Sequence, residues 1–462
     1  MRIIRAFKTI NYRLWVAILI TNFIPTIYQT VRIYILGDLP SDNGINIASQ
    51  LQWVNLIYEI FQEALILPLF HLLGKSLYNQ EEFSNKVRTG LLITLIIYIL
   101  VSVIVISCAK PLVKLMAQST NLIDQTVTYI RLETVAALFL TLWKFMTCVL
   151  VTLKKDIYMY IVLLVQMILS IIMDIFLVSN LKCSLKVGVN GIAITNIVVN
   201  FIIIIISLFL LRREKISLCD KYNFGWLKEW LKVGSYSGIE SFLRNLSFMV
   251  MVVRMVNVVN EQGNYWIANS FIWNWMLVPA SALGDVVKKE IGEDKQNVSK
   301  KTFGYFLFDC VFAILWLISI PAWKPFLRIA MNVKEYETVY YITLIETGFY
   351  MTFIFNSYIL DSTFYGLGKT NYMLFQSICI DVVYYGVMFI LYKTNVFKPT
   401  LKRIALMFGC GMLLDFVPTL ILYIIMLKKE KIKIDINLLN DEMSIEENYS
   451  EGESTDNSNE NI

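Results

Sequence analysis

Long apolar stretches follow one another along almost the whole chain, separated by short polar segments. Each stretch holds about 20 residues, the length that an α-helix needs to cross the hydrocarbon core of a bilayer. The pattern predicts about twelve membrane-spanning helices and leaves no room for a sizeable soluble domain. Their predicted ranges are residues 14–36, 47–73, 90–109, 126–151, 158–180, 190–211, 233–258, 265–287, 303–323, 338–364, 372–392 and 402–427.

The composition supports a protein whose solvent is lipid. Hydrophobic residues make up 57% of the 462 residues and charged residues only 17%, and the mean hydropathy is +0.59. These values lie outside the range of soluble domains. The net charge of +5 is concentrated in one set of loops, so it reports orientation in the membrane and gives no reason to expect a nucleic-acid partner.

The distribution of Lys and Arg predicts the orientation. If the N-terminus is cytoplasmic, that side carries roughly twice the Lys and Arg of the other, as the positive-inside rule expects. We therefore expect a multi-pass protein of the cytoplasmic membrane with both termini in the cytoplasm.

The chain repeats itself at an offset of 214 residues. KPLVKLM at 110 aligns with KPFLRIA at 324, and YIRLET at 129 aligns with YITLIET at 341 after a one-residue gap. Repeats of six spans share one orientation, so they are related by a pseudo-twofold axis along the membrane normal. The prediction is an all-α membrane protein with two six-helix lobes, residues 1–213 and 214–434, followed by an acidic, disordered cytoplasmic tail at 435–462.

Polar residues recur at helical spacing in two spans of the first lobe. Gln29 and Arg32 belong to a stripe on the first span, and Gln166 and Asp174 belong to one on the fifth. Arg32 and Asp174 stand at nearly equal depth, which predicts an ion pair between them. The alternative is a structural arginine whose side chain extends to the interface. Pro25, which removes a backbone hydrogen bond inside the first span, is a candidate hinge.

The second lobe carries its own intramembrane charges, which normally face a partner or a wet cavity. Glu240 and Arg244 are one turn apart, and Arg254 stands where the repeat places the counterpart of Arg32. Glu240 is either half of an intrahelical pair or a carboxylate facing the substrate. Burial beside apolar walls makes carboxylates able to exchange protons near neutrality, and three further candidates for that role are Asp361, Asp381 and Asp415.

The seven cysteines stand singly and there is one histidine. This pattern predicts neither a disulfide framework nor a metal site. We also find no nucleophile with a base and no phosphate-binding loop, so we do not expect an enzyme.

Four local matches suggest a family. They are IPTIYQTVRIYILGDL at 24, the triplets IAS at 47 and IAN at 267, SIIMDIFLV at 170 followed by GVNGIAITN at 188, and DSTFYGLGKTNYM at 361. Their order and spacing resemble the multidrug and toxic compound extrusion (MATE) family, within the multidrug/oligosaccharidyl-lipid/polysaccharide flippase superfamily.

The resemblance implies an antiporter that works by alternating access and exports amphipathic organic compounds against a sodium or proton gradient. It implies no other cofactor. This sequence departs from the family at Arg32, which stands where relatives carry an acidic residue. Because a guanidinium stays protonated, this position cannot release a proton or ligate sodium, and we expect coupling to reside in carboxylates of the seventh helix or the second lobe.

Two alternatives remain open. One is a flippase for lipid-linked saccharides or glycolipids, whose cavity would be more cationic and would open sideways to lipid. The other is a membrane assembly factor or enzyme that has lost transport. The expected partners are the bilayer and a small organic solute, which the arginines at 32, 244 and 254 suggest could be anionic. We expect the chain to act as a monomer.

Overall fold

The computed structural model describes residues 6–39, 43–153, 155–218 and 220–433. Within these residues the secondary structure is helical, and no strand occurs. The tail predicted at 435–462 lies outside the described residues.

Twelve helical segments follow one another across the membrane, as the hydropathy pattern predicts. In the first half they are α1 (Tyr12–Gly37), α2 (Asn43–Gly74), α3 (Gln80–Ser107), α4 (Thr120–Thr152), α5 (Asp156–Leu177) and α6 (Val189–Arg213). In the second half they are α7 (227–258), α8 (262–293), α9 (Asn297–Ala330), α10 (336–366), α11 (Thr370–Lys393) and α12 (Leu401–Lys429).

Nine of these segments are long and apolar enough to cross a membrane by composition alone, counted over the described part of the chain. The other three are α7, α8 and α10, which carry more polar and charged side chains. Such side chains are tolerated in a membrane where they face protein or a water-filled cavity. These three helices are therefore the first place to look for a site.

Five segments of wider, π-helical backbone interrupt helices of the second half. They are Met249–Val253, Ile272–Met276, Phe326–Ala330, Asn356–Asp361 and Ile378–Tyr384. No described helix of the first half contains one. Because π-helical turns change the direction of side chains and recur at functional sites, they mark the second lobe as the specialised one.

The buried side chains form two hydrophobic cores, one per half, in agreement with a two-lobed bundle. The exact lobe boundaries at 213 and 434 stay a prediction. Helix α1 contributes to both cores, because Ile33 packs with the second lobe whereas Ile35 and Leu36 pack with the first. We call the face where α1 begins and α12 ends the terminal face, and the opposite one the distal face.

Helices α2 and α7 approach each other closely between the lobes. A Cβ built on Gly234 of α7 would stand 2.1 Å from the carbonyl oxygen of Ala64 in α2. The Trp230 indole donates a hydrogen bond to the Leu65 carbonyl at 2.8 Å, so glycine and tryptophan together fix this contact.

Polar side chains join the lobes near the distal face, along what we call the distal seam: Gln50 and Gln52 of α2 with Asn257 and Gln262 of the second lobe. The Gln50 amide donates to Asn257 Oδ1 at 2.6 Å, and the Gln262 amide donates to Gln52 Oε1 at 3.1 Å. Gln50, Asn257 and Gln262 are buried. These bonds hold the two lobes together at this face.

Candidate functional site

A cavity of about 500 Å³ lies among α2, α7, α8, α10, α11 and α12. The polar helices α7, α8 and α10 supply much of its wall, which explains their lower hydropathy. Two of the π-helical segments, Asn356–Asp361 and Ile378–Tyr384, place Asp361 and Asp381 on this wall. The volume falls within the range of sites for small organic ligands.

The charged groups on the wall are mostly acidic. Five carboxylates and two cations line the cavity among the described residues: Glu59, Glu240, Asp361, Asp381 and Asp415, with Arg244 and Lys288. Lys288 already contacts Asp285 at 3.1 Å. The wall therefore carries excess negative charge when its carboxylates are ionised.

Arg244 is held by three carboxylates. Its guanidinium lies 2.7 Å from Glu63, 3.4 Å from Glu59 and 3.2 Å from Glu240. Glu240 also accepts a hydrogen bond from Ser377 at 3.0 Å. The positive charge of Arg244 is thus balanced from α2 and α7, and it is not free to bind an anion.

Asp361, Asp381 and Asp415 form no ion pair with any described residue. Asp415 accepts hydrogen bonds from the side-chain amides of Asn356 at 2.8 Å and Gln376 at 3.2 Å. One carboxyl oxygen of Asp361 is buried without a hydrogen-bond partner in the described part of the chain. Such carboxyls are suited to hold a proton, a monovalent cation or a cationic substrate.

Aromatic rings complete the wall, and their faces attract cations. Trp273 is 43% exposed, so its ring remains available to a ligand, and its indole donates a hydrogen bond to the Tyr350 hydroxyl at 3.0 Å. Tyr358 and Tyr365 of α10, with Phe248 of α7, add further rings.

A second polar cluster is buried in the first lobe. The Arg32 guanidinium donates to Asp174 at 2.8 Å, which is the pairing that the helical spacing predicts. Glu133 of α4 interacts electrostatically with both of them. It accepts hydrogen bonds on both oxygens from the Asn196 amide, at 2.9 and 3.0 Å.

The structure divides the residues predicted for one cavity into separate groups. Glu240, Arg244, Asp361 and Asp381 line the cavity. The residues predicted on α1 and α5 do not line it, because these two helices pack against each other in the first lobe. Arg32 and Asp174 form the buried pair there. Gln166 donates a hydrogen bond to Asn200 at 3.3 Å, and Gln29 is half-buried on α1.

Arg254 is not among the residues that line this cavity. Its guanidinium donates to the Leu115 carbonyl at 2.9 Å and to the Tyr392 hydroxyl at 3.4 Å. A wider, π-helical turn at Met249–Val253 lies just before it on α7. Pro25 lies inside α1, which runs through it as one helix; its role as a hinge stays a prediction.

Sequence analysis did not single out Glu133 and Glu346. Both are buried, and each occurs in the same short motif of the repeat, YIRLET and YITLIET. The recurrence of a glutamate at the same place of the repeat, inside an apolar span, is the sequence feature that predicts a role for both residues. Among the described residues no group of three or more His, Cys, Asp and Glu side chains has the geometry of a metal site.

A family model, MatE, matches residues 78–176. A comparison with curated protein sequences finds no match.

Solved transporter structures share the fold over most of the chain. The Vibrio cholerae MATE transporter VcmN, in an aspartate-to-asparagine mutant, is 14% identical with a TM-score of 0.69, covering 93% of this chain and 99% of that one. An inward-facing multidrug resistance MATE family transporter is 16% identical with a TM-score of 0.66, covering 89% and 96%. A superfamily transporter from Pyrococcus furiosus, whose binding pocket is described as having reverse polarity, is 14% identical with a TM-score of 0.65, covering 95% and 96%.

Proposed function

We propose that the chain is a secondary active transporter of the MATE type that exports amphipathic organic cations. The MatE match over residues 78–176 and the fold shared with solved MATE structures support this proposal. The observation that carries the proposal is the acidic, aromatic wall of the cavity. A cation near several carboxylates gains Coulomb energy that an anion loses, and the rings add cation–π attraction.

The anionic substrate suggested by the arginine count is not part of this proposal. Arg32 is paired with Asp174, Arg254 lies outside the cavity, and Arg244 is balanced by three carboxylates. The same balance weighs against a flippase for lipid-linked saccharides, since that function calls for a cationic cavity. A cavity of about 500 Å³ also weighs against a protein that has abandoned transport, and we propose no enzymatic reaction.

We place ion coupling in the second lobe. Asp361 and Asp415 interact electrostatically with each other and form no ion pair with a described residue, so a proton or a sodium ion can exchange with substrate there. Arg32 acts as a tethered cation that permanently occupies Asp174 in the first lobe. Antiport by alternating access then requires the two lobes to rock about their contacts.

The remaining parts of the proposal concern the setting of the transporter. We propose a monomer as the working unit. The positive-inside rule places the terminal face, which includes Lys288, Lys295, Lys369 and Lys429, in the cytoplasm of a cell membrane.

Transport in proteoliposomes tests the proposal. The purified chain is reconstituted, and uptake of a fluorescent organic cation and of a size-matched anionic dye is measured under imposed pH gradients and, separately, sodium gradients. We expect gradient-driven movement of the cation only, and the gradient that supports it identifies the coupling ion.

Two variants locate the transport site. Asp415→Asn removes a cavity carboxylate and should lower the apparent affinity for the cation about tenfold, which corresponds to roughly 1.4 kcal/mol. Asp124→Asn removes an exposed carboxylate that pairs with Lys110 outside the cavity and should leave transport unchanged. Equal behaviour of the two variants, or preference for the anionic dye, would contradict the proposal.

A further inference from the structure

Two glutamates occupy equivalent positions of the internal repeat but differ in their surroundings. Glu133 on α4 and Glu346 on α10 are 3% and 0% exposed. Both oxygens of Glu133 accept hydrogen bonds from Asn196, and Arg32 lies close to it. Glu346 forms no ion pair in the described part of the chain, and no donor reaches either of its oxygens with good hydrogen-bond geometry; the Tyr265 hydroxyl is the donor that interacts with it.

The titratable groups that interact with Glu346 are phenols: Tyr265 from α8 and Tyr350 one turn further along α10. A third phenol, Tyr385 from α11, lies close to Tyr265 and Tyr350. The buried Tyr265 hydroxyl interacts with Glu346 and has no other hydrogen-bond partner among the described residues. Burying an ionised carboxylate without a cation is strongly unfavourable, and a single phenol hydroxyl does not replace the missing charge. Glu346 therefore needs a bound cation, and a proton is the one that this tight aromatic setting can accommodate.

Glu346 is connected to the cavity through Tyr350. The Tyr350 hydroxyl accepts a hydrogen bond from the Trp273 indole at 3.0 Å and donates one to Asn269 Oδ1 at 3.4 Å. Trp273 and Asn269 line the cavity. A change in the charge of Glu346 would therefore be felt at the cavity wall.

Glu346 is connected to the distal seam through Tyr265. Tyr265 lies one turn after Gln262 on α8, and the Gln262 amide donates to the Ser49 carbonyl at 3.4 Å and to Gln52 at 3.1 Å. If α8 moves away from α2, Tyr265 moves with the seam and water gains access to Glu346.

We infer that Glu346 is a proton-binding site, protonated while the distal seam is closed and deprotonated when the seam opens. Glu133, its counterpart in the repeat, is held by Asn196 and Arg32 and does not exchange. The coupling of this proton to transport rests on the proposed function, whereas its binding does not.

Infrared difference spectroscopy of the full chain in lipid, without substrate, tests proton binding. Stepping from acidic to alkaline buffer should remove a protonated-carboxyl band that shifts on ¹³C-labelling of glutamate. The band should be lost in Glu346→Gln and retained in Glu133→Gln. In Glu346→Asp, a carboxyl band should remain but no longer respond to the glutamate label, which keeps the test decisive if Glu346→Gln folds poorly. A glutamate-sensitive band that persists in both Glu346 variants would overturn the inference.

Transport under pH gradients then tests the link to the seam. In wild type, cation efflux should depend on the direction of the pH gradient, and Glu346→Gln should lose that dependence. Tyr265→Phe keeps the carboxyl and should retain the infrared band. If Glu346→Gln loses the band but keeps the pH dependence of transport, the link between proton binding and transport is overturned. If wild type shows the band but no transport at all, only the proposed function is contradicted.

Discussion

Separating Arg32 from Asp174 should be costly, and the cost should depend on which partner is removed. The side chains are 14% and 4% exposed and 2.8 Å apart. Removing one partner of a buried ion pair typically costs about 3–5 kcal/mol, because the other charge is left unpaired. Arg32→Leu leaves Asp174 close to Glu133, so both the missing partner and the repulsion between like charges contribute, and we expect the full loss.

Asp174→Asn should be milder, because Arg32 retains Glu133 as a neighbouring negative charge. The expected loss is one charge-assisted hydrogen bond, about 1.5–3 kcal/mol. For a lobe of about 200 residues, roughly 2–4 °C of melting temperature corresponds to each kcal/mol. Arg32→Leu should therefore lower the melting temperature by roughly 10 °C and Asp174→Asn by about half as much.

Thermal unfolding in detergent, followed by tryptophan fluorescence, measures these shifts for each single variant. The double variant Arg32→Leu/Asp174→Leu completes a double-mutant cycle and should lose less than the sum of the two corresponding leucine variants, by more than about 1 kcal/mol. Additive losses, or equal losses for Arg32→Leu and Asp174→Asn, would refute both the pair and the role given to Glu133.

Two further predictions address the lobe contact and the terminal face. Gly234→Ala forces a Cβ against the Ala64 carbonyl and should cost about 1–3 kcal/mol in thermal unfolding, whereas Gly348→Ala, with open space around its Cα, should be neutral or slightly stabilising. Lys295 and Lys369 lower the pKa of Glu430 to about 2. This carboxylate therefore stabilises the fold fully above its ordinary pKa of 4.5 and loses that effect progressively as the pH falls from 4.5 to about 2. Glu430→Gln should thus lower the melting temperature equally at neutral and mildly acidic pH, and a difference that changes across that range would contradict the assignment.

The architecture was accessible from the sequence because lipid imposes simple rules. The length of each apolar span, the distribution of positive charge and the internal repeat can all be read directly from the sequence. Together with helical spacing, they predict the twelve helices and the pairing of Arg32 with Asp174. The helical spacing alone gives equal depth for those two side chains, and the structure brings them to 2.8 Å.

The division of the polar residues between two sites was not accessible in the same way. Packing between segments that are distant in sequence decides which face of a helix lines the cavity. Helix α1, which packs against α5 and α8, is an example. The π-helical segments change the direction of Asn356, Asp361 and Asp381 without a sequence signature that spacing rules recognise. Arg254 illustrates this, because its side chain contacts Leu115 and Tyr392 and does not line the cavity.

Binding of a matched pair of ligands tests the central claim, that the cavity favours organic cations, most directly. The affinities of two fluorescent compounds with the same aromatic body, one cationic and one anionic, are measured by anisotropy on the purified full chain, in wild type and in Asp361→Asn/Asp415→Asn. The account predicts that wild type binds the cation at least about tenfold more tightly, a difference of roughly 1.4 kcal/mol, and that the double variant loses most of this preference. Equal affinities, or tighter binding of the anion by wild type, would contradict it.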